Sequence, residues 1–406
     1  MSLSISVSKL LVSKYAKAVG RVAGYLAATQ DPVLFERVCF WGHVSDEVLS
    51  GDLPSEAQHA QACGELVQLL EAPAPSVAVM HRGRLGLAWA LAHVTESDSA
   101  SELTYYDEQL LTALSEPSHP LAWDLAGGVA GVALYAKVRD DRGEHELGQA
   151  LGAHVVRILS QRTAGGESIW SLGSTDGGPG GAAPTLGGAR VNCGMAHGIP
   201  GIAAALGNLA EMDVPGAGAL LRHVMQWMDV CWLPDGATNQ LPDYVTKEGA
   251  GKPARTGWCY GDLGAIVGLL NASRRAGLPE QELWTRAYTC ANRPLRLADY
   301  HDAGLCHGMM GVSHLFYRLF LASRDKVFAD AAATSMARAF DYEDAEDGMG
   351  GFGAAAIGDD GREFRVGNAR LLAGSVGVVL SMQAMIRGDV PLWDQCLGID
   401  IPVAAK

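Results

Sequence analysis

Six copies of Gly-x-x-Gly, each followed by an apolar helical run, constrain this chain more than any other feature. They are Gly83-Arg-Leu-Gly86, Gly128-Val-Ala-Gly131, Gly198-Ile-Pro-Gly201, Gly261-Asp-Leu-Gly264, Gly308-Met-Met-Gly311 and Gly374-Ser-Val-Gly377. Their first glycines are spaced by 45, 70, 63, 47 and 66 residues, which fits a two-helix unit with loops of variable length. More polar helical segments lie between them, at Ser101–Leu114, Glu144–Gln161, Pro215–Cys231, Pro279–Ala291 and Lys326–Tyr342. Alternation of polar-faced and almost wholly apolar helices predicts an outer ring wrapped around an inner ring. Paired glycines at the inner-helix starts are expected where neighbouring backbones crowd together. The expected fold is therefore all-α, an α/α toroid in which a double layer of helices forms one domain over residues 1–406. Helices around Leu10–Thr29 and Glu56–Leu70 begin it, with room for a seventh unit that lacks the glycines.

Two stretches interrupt the rhythm. Residues 163–190 are rich in Gly, Ser and Pro and predict a long loop or small hairpin; residues 233–255 predict a second irregular insertion. Each precedes a repeat with reactive side chains, where a loop can grip a substrate.

Composition excludes several functions. Hydrophobic residues reach 48%, enough for a large core, and the formal net charge is −14 with no long Lys/Arg cluster. Nucleic acid is excluded as a partner, because phosphate binding needs a basic footprint. The N-terminal stretch reads as an amphipathic helix and not as a signal peptide, and no stretch is long and apolar enough to span a bilayer. The chain is expected in the cytoplasm. Eight scattered cysteines do not make a disulfide framework in that setting.

The repeat also gives a coordinate system for chemistry. Counted back from the first glycine of each pair, Cys259 and Cys306 share the second position, while His197 and His307 share the first. Equivalent positions of a closed ring lie on one rim, so these four side chains are expected to converge. Two thiolates and an imidazole suit Zn²⁺, with a fourth position left for water or substrate. The alternative for Cys259 and Cys306 is that of ordinary buried cysteines. His197 is a candidate general acid or base, or a histidine satisfied at its helix start. Asp124 can orient a histidine, receive a proton or cap its helix. Arg255 can hold a carboxylate or polarise a carbonyl, or sit on the surface. His81 shares the register with a weaker case.

The strings Gly257-Trp-Cys-Tyr-Gly261, Cys306-His307-Gly308 and Ala196-His197-Gly198 resemble the lanthionine synthetase C-like family, the lanthipeptide cyclases, and the glycine repeats extend the similarity over nearly the whole chain. The resemblance implies zinc on Cys259, Cys306 and His307, acid/base chemistry at His197, and active-site roles for Asp124 and Arg255. Trp258 and Tyr260 flank the first ligand as candidate substrate contacts. It implies a stand-alone enzyme that adds a peptide cysteine thiol to dehydroalanine or dehydrobutyrine, closing a (methyl)lanthionine ring. Its expected partners are a dehydrated precursor peptide, a separate dehydratase and a transporter complex. Competing readings are an enzyme of the same family that adds glutathione to dehydrated residues, and a non-catalytic zinc-stabilised scaffold that binds peptides. A toroid glycosidase fits less well, because it needs paired carboxylates and only Asp124 is in register.

Overall fold

Every predicted polar segment is a helix in the computed structural model, and each alternates with one of the apolar helices that the glycine pairs announce. The structure describes residues 7–29, 33–44, 55–72, 79–81, 83–95, 102–116, 122–163, 191–246, 249–296, 299–344, 346, 349–357 and 362–403. Among these, fourteen α-helices alternate along the sequence, each outer helix followed by an inner one. They are α1 (Lys9–Ala28) with α2 (Leu34–His43), α3 (Ser55–Glu71) with α4 (Arg84–Val94), and α5 (Thr104–Ser115) with α6 (Val129–Asp141). Next come α7 (His145–Thr163) with α8 (Ile199–Glu211), and α9 (Ala217–Met228) with α10 (Asp262–Arg275). The last are α11 (Gln281–Asn292) with α12 (Met309–Ser323), and α13 (Lys326–Ala339) with α14 (Ser375–Arg387). No helix among the described residues is long and apolar enough to cross a membrane.

Burial follows the sequence pattern. On α9 the buried side chains are Ala217, Leu220, Leu221, Val224 and Met228, the single stripe of an amphipathic outer helix. On α8 every residue from Ile199 to Leu209 is buried, as an inner helix packed on all sides requires.

The chain divides into two compact units. One comprises Leu66–Ala287 and Asp394–Pro402; in it α4, α6, α8 and α10 pack in succession, with α7 against α6 and α9 against α8. The returning C-terminal segment is fixed to this unit by Asn271 Nδ2 donating to Gly398 O (3.1 Å) and by the Arg275–Asp400 ion pair. The other unit comprises Met1–Glu65, Tyr288–Trp393 and Val403–Lys406. Here α14 packs against α1, α2 and α12, and α13 packs against α12.

Helix α2 has no counterpart among the elements expected from the sequence. The helix is short and carries charges, but both are satisfied inside: Glu36 accepts from Leu371 N (3.1 Å) and Arg37 pairs with Glu65 (2.6 Å). With α1 it forms the seventh unit, without a glycine signature. The insertion expected at 163–190 lies, from residue 164 onward, outside the described residues. Within 233–255, β2 (Tyr244–Thr246) pairs antiparallel with β3 (Gly249–Ala250) and with β1 (Val191–Asn192). A second hairpin joins β4 (Ala354–Ile357) to β5 (Glu363–Val366).

The glycines act differently from expectation. The second glycines Gly131, Gly201, Gly264, Gly311 and Gly377 press closest on the backbone of their own preceding turn. A Cβ on Gly131 would stand 2.6 Å from Leu125 O, and one on Gly201, Gly311 or Gly377 would press even closer on Met195 O, Leu305 O or Leu371 O. That carbonyl lies three residues before the first glycine in all four. Gly201→Ala is therefore expected to destabilise by about 3 kcal/mol or more, since backbone must move. Gly24→Ala on α1, where a Cβ meets nothing within 4 Å, is expected to change stability by less than about 1 kcal/mol. Denaturant unfolding of the two variants checks this; equal midpoints would refute it.

Candidate metal centre

The turn before each inner helix has a recurring bond pattern. The carbonyl six residues before the first glycine accepts the N–H just after it: Val129 N to Ala122 O (2.9 Å), Asp262 N to Arg255 O (3.2 Å), Met309 N to Asp302 O (3.1 Å) and Ser375 N to Asn368 O (2.8 Å). Successive turns are then stitched through the position two before the glycine. In one unit His81 N donates to Ala126 O (2.9 Å), Ala126 N to Ala196 O (3.0 Å) and Ala196 N to Cys259 O (3.4 Å). In the other, Cys306 N donates to Leu372 O (2.8 Å). The position that carries both candidate thiol ligands is thus one whose backbone is bonded from turn to turn.

Cys259 is buried, next to Trp258, whose Nε1 donates to Leu397 O at 3.0 Å and whose ring meets His81 edge-on at 5.5 Å. Cys306 is half-buried, and a third of the His307 side chain is exposed. The ligand atoms of Cys259, Cys306 and His307 all lie within 4.8 Å of one another. Tetrahedral zinc with Zn–S near 2.3 Å separates its ligands by roughly 3.5–3.8 Å, so the three donors suit such an ion in number, softness and spacing.

His197 Nδ1 lies 3.1 Å from Asp124 Oδ2. The other carboxylate oxygen, Oδ1, accepts from Gly127 N at 2.7 Å, so Asp124 both holds its turn and faces the histidine. That carboxylate raises the His197 pKa above its ordinary value; burial opposes the shift, and the charge of Cys259 adds to it. The Tyr260 ring is exposed, 6.2 Å from that of His197. Arg255 is different. It is exposed, and among the described residues no ion pair engages its guanidinium; its contribution to the turn is its carbonyl.

Asp302 was missed by sequence reasoning. It is 2% exposed, its Oδ1 accepts from Gly304 N (2.9 Å), and its Oδ2 accepts from Ala355 N (3.1 Å) and lies 3.8 Å from His307 Nε2. Its signal was available: Asn192, Asp302 and Asn368 stand at one repeat position, six before the glycine.

The family model described as "Lanthionine synthetase C-like protein" matches residues 57–397, well over half of the chain. No curated protein sequence matches. Among solved structures, one titled "Nisin cyclase" is similar at 14% identity and a TM-score of 0.67, covering 97% of this chain and 98% of that one. The likeness is one of fold, and the fold is the α/α toroid.

Proposed function

The chain belongs to the lanthionine synthetase C-like family, and from that premise we propose that it is a zinc-dependent cyclase forming thioether rings in a dehydrated peptide. The observation that carries the reading is the cluster of Cys259, Cys306 and His307, with the acid–base pair His197–Asp124 built onto the same series of turns. Zinc held by the three donors would supply a Lewis acid that lowers the pKa of an incoming peptide thiol towards neutrality. Two protein thiolates already offset the dication, so a further sulfur stays electron-rich and nucleophilic.

The peptide sulfur adds to the β-carbon of dehydroalanine or dehydrobutyrine. An S–C bond forms, the C=C π bond breaks, and the electron pair passes to the enolate. The proton lost from the thiol is balanced by one delivered to the α-carbon, so peptide mass is unchanged. His197 delivers that proton, with Asp124 keeping its imidazolium available. Arg255, exposed on the turn that carries Cys259, meets a peptide carbonyl or carboxylate, and the exposed Tyr260 shapes the substrate's approach. Trp258, expected from the sequence as a substrate contact, is instead buried at 2% exposure and supports the turn from inside. In this reading a separate dehydratase prepares the peptide, and a transporter complex receives the product.

The test uses a cysteine-containing dehydrated peptide, zinc-loaded protein and thiol alkylation read by mass spectrometry. The expected result is loss of alkylatable thiol at constant peptide mass, abolished by a zinc chelator and restored by zinc. Persistence of free thiol, or preferential capture of added glutathione by the peptide, would overturn the reading.

A further inference from the structure

Three of the turns before inner helices carry an Asn or Asp six residues ahead of the glycine, and the three make one bond in common. Asn192 Oδ1 accepts from Gly194 N (2.7 Å), Asp302 Oδ1 from Gly304 N (2.9 Å) and Asn368 Oδ1 from Arg370 N (2.8 Å). A neutral amide is sufficient for this bond, as Asn192 and Asn368 demonstrate. Burying a carboxylate instead is costly unless its charge is used, and Asp302 is 2% exposed. The oxygen left over from the turn, Oδ2, accepts from Ala355 N at 3.1 Å and lies 3.8 Å from His307 Nε2. The one repeat with Asp at this position is the repeat that carries the Cys306–His307 pair.

We infer that Asp302 is a positioning residue for His307, holding the Nε2–H tautomer and so turning Nδ1 towards the thiols of Cys259 and Cys306. The inference rests on the zinc reading above. The physical reason is general: a carboxylate behind a metal-ligating imidazole sets its tautomer and ring orientation and raises its basicity, and its loss costs about 10–100-fold in metal affinity. A ring shift of under an ångström brings the Asp302 contact to hydrogen-bond length.

The experiment measures zinc dissociation constants by chelator competition for the full chain, for Asp302→Asn and for Asp302→Asn combined with His307→Cys. Nitrogen-15 NMR of the histidine rings in the zinc-loaded protein accompanies it. Asn retains the turn bond to Gly304 N but removes the charge. The expected result is a loss of about 10–100-fold in zinc affinity for Asp302→Asn, with the far-UV circular dichroism unchanged. The same substitution should have no effect on zinc affinity in the His307→Cys background, where no ring remains to be oriented. Wild-type spectra should show His307 protonated at Nε2. Equal affinities for wild type and Asp302→Asn would overturn the inference while leaving the zinc site standing. So would an equal loss in the His307→Cys background, which would trace the effect to the Ala355 contact. A wild-type chain that binds no zinc would overturn the functional reading itself, and this inference with it.

Discussion

Cys306→Ala is expected to weaken zinc binding by at least about 100-fold and to bring ring closure down towards the uncatalysed rate. Zinc bound by a set of sulfur and nitrogen ligands is worth about 10–16 kcal/mol in small proteins near neutral pH, so one thiolate accounts for roughly 3 kcal/mol or more. Folding should survive. The bond from residue 306 N to Leu372 O is made by backbone, and the thiol is only half-buried. Cys290→Ala on α11 is the control, since Cys290 is buried and, among the described residues, belongs to no group of three or more metal-ligating side chains. It is expected to keep full zinc content and full activity. Metal analysis, chelator competition and the alkylation assay check both variants. Undiminished zinc and undiminished ring closure in Cys306→Ala would remove the central claim.

His197→Asn is expected to retain zinc and lose about 10²–10⁴-fold in turnover, the usual worth of a positioned acid or base. The companion variant, Asp124→Asn, tests the pairing through pH. The carboxylate at 3.1 Å raises the His197 pKa, so the protonated ring persists to higher pH than an ordinary histidine would. A step that uses it as an acid declines as pH rises through that raised pKa. Without the Asp124 charge the decline must begin at lower pH. The stability linkage has the same sign: the favourable contact is complete below the unfolded-state pKa and is lost as pH rises through the folded-state value. A pH–rate profile of Asp124→Asn whose alkaline limb coincides with that of wild type would separate His197 protonation from Asp124.

The readable parts of the molecule were those in which one local rule repeats. The register of the glycine pairs located six inner helices, and apolar stripes located the outer ones, because both depend on periodicity within a single segment. Helix α2 was illegible for the opposite reason. Its Glu36 and Arg37 look like surface charges until Leu371 and Glu65 are brought to them from distant sequence. The purpose of the glycines was also misassigned, since their crowding against Leu125, Met195, Leu305 and Leu371 is a property of turn geometry. Composition carries no information on that geometry.

The repeat, the alternation of layers, and the register that sets Cys259, Cys306, His197 and His307 at equivalent turn positions are all legible in the residues. Which of these side chains meet depends on the folded chain. It gathers two thiols and one imidazole within 4.8 Å, pairs His197 with Asp124 across two turns, and leaves the Arg255 guanidinium exposed. It also turned an ordinary Asx position into a buried carboxylate facing His307. The physical reason is that register depends on helical period and turn bonds, which are local. Contact between side chains from different repeats depends on how the turns are stitched together, and those backbone bonds join residues 45 to 70 positions apart.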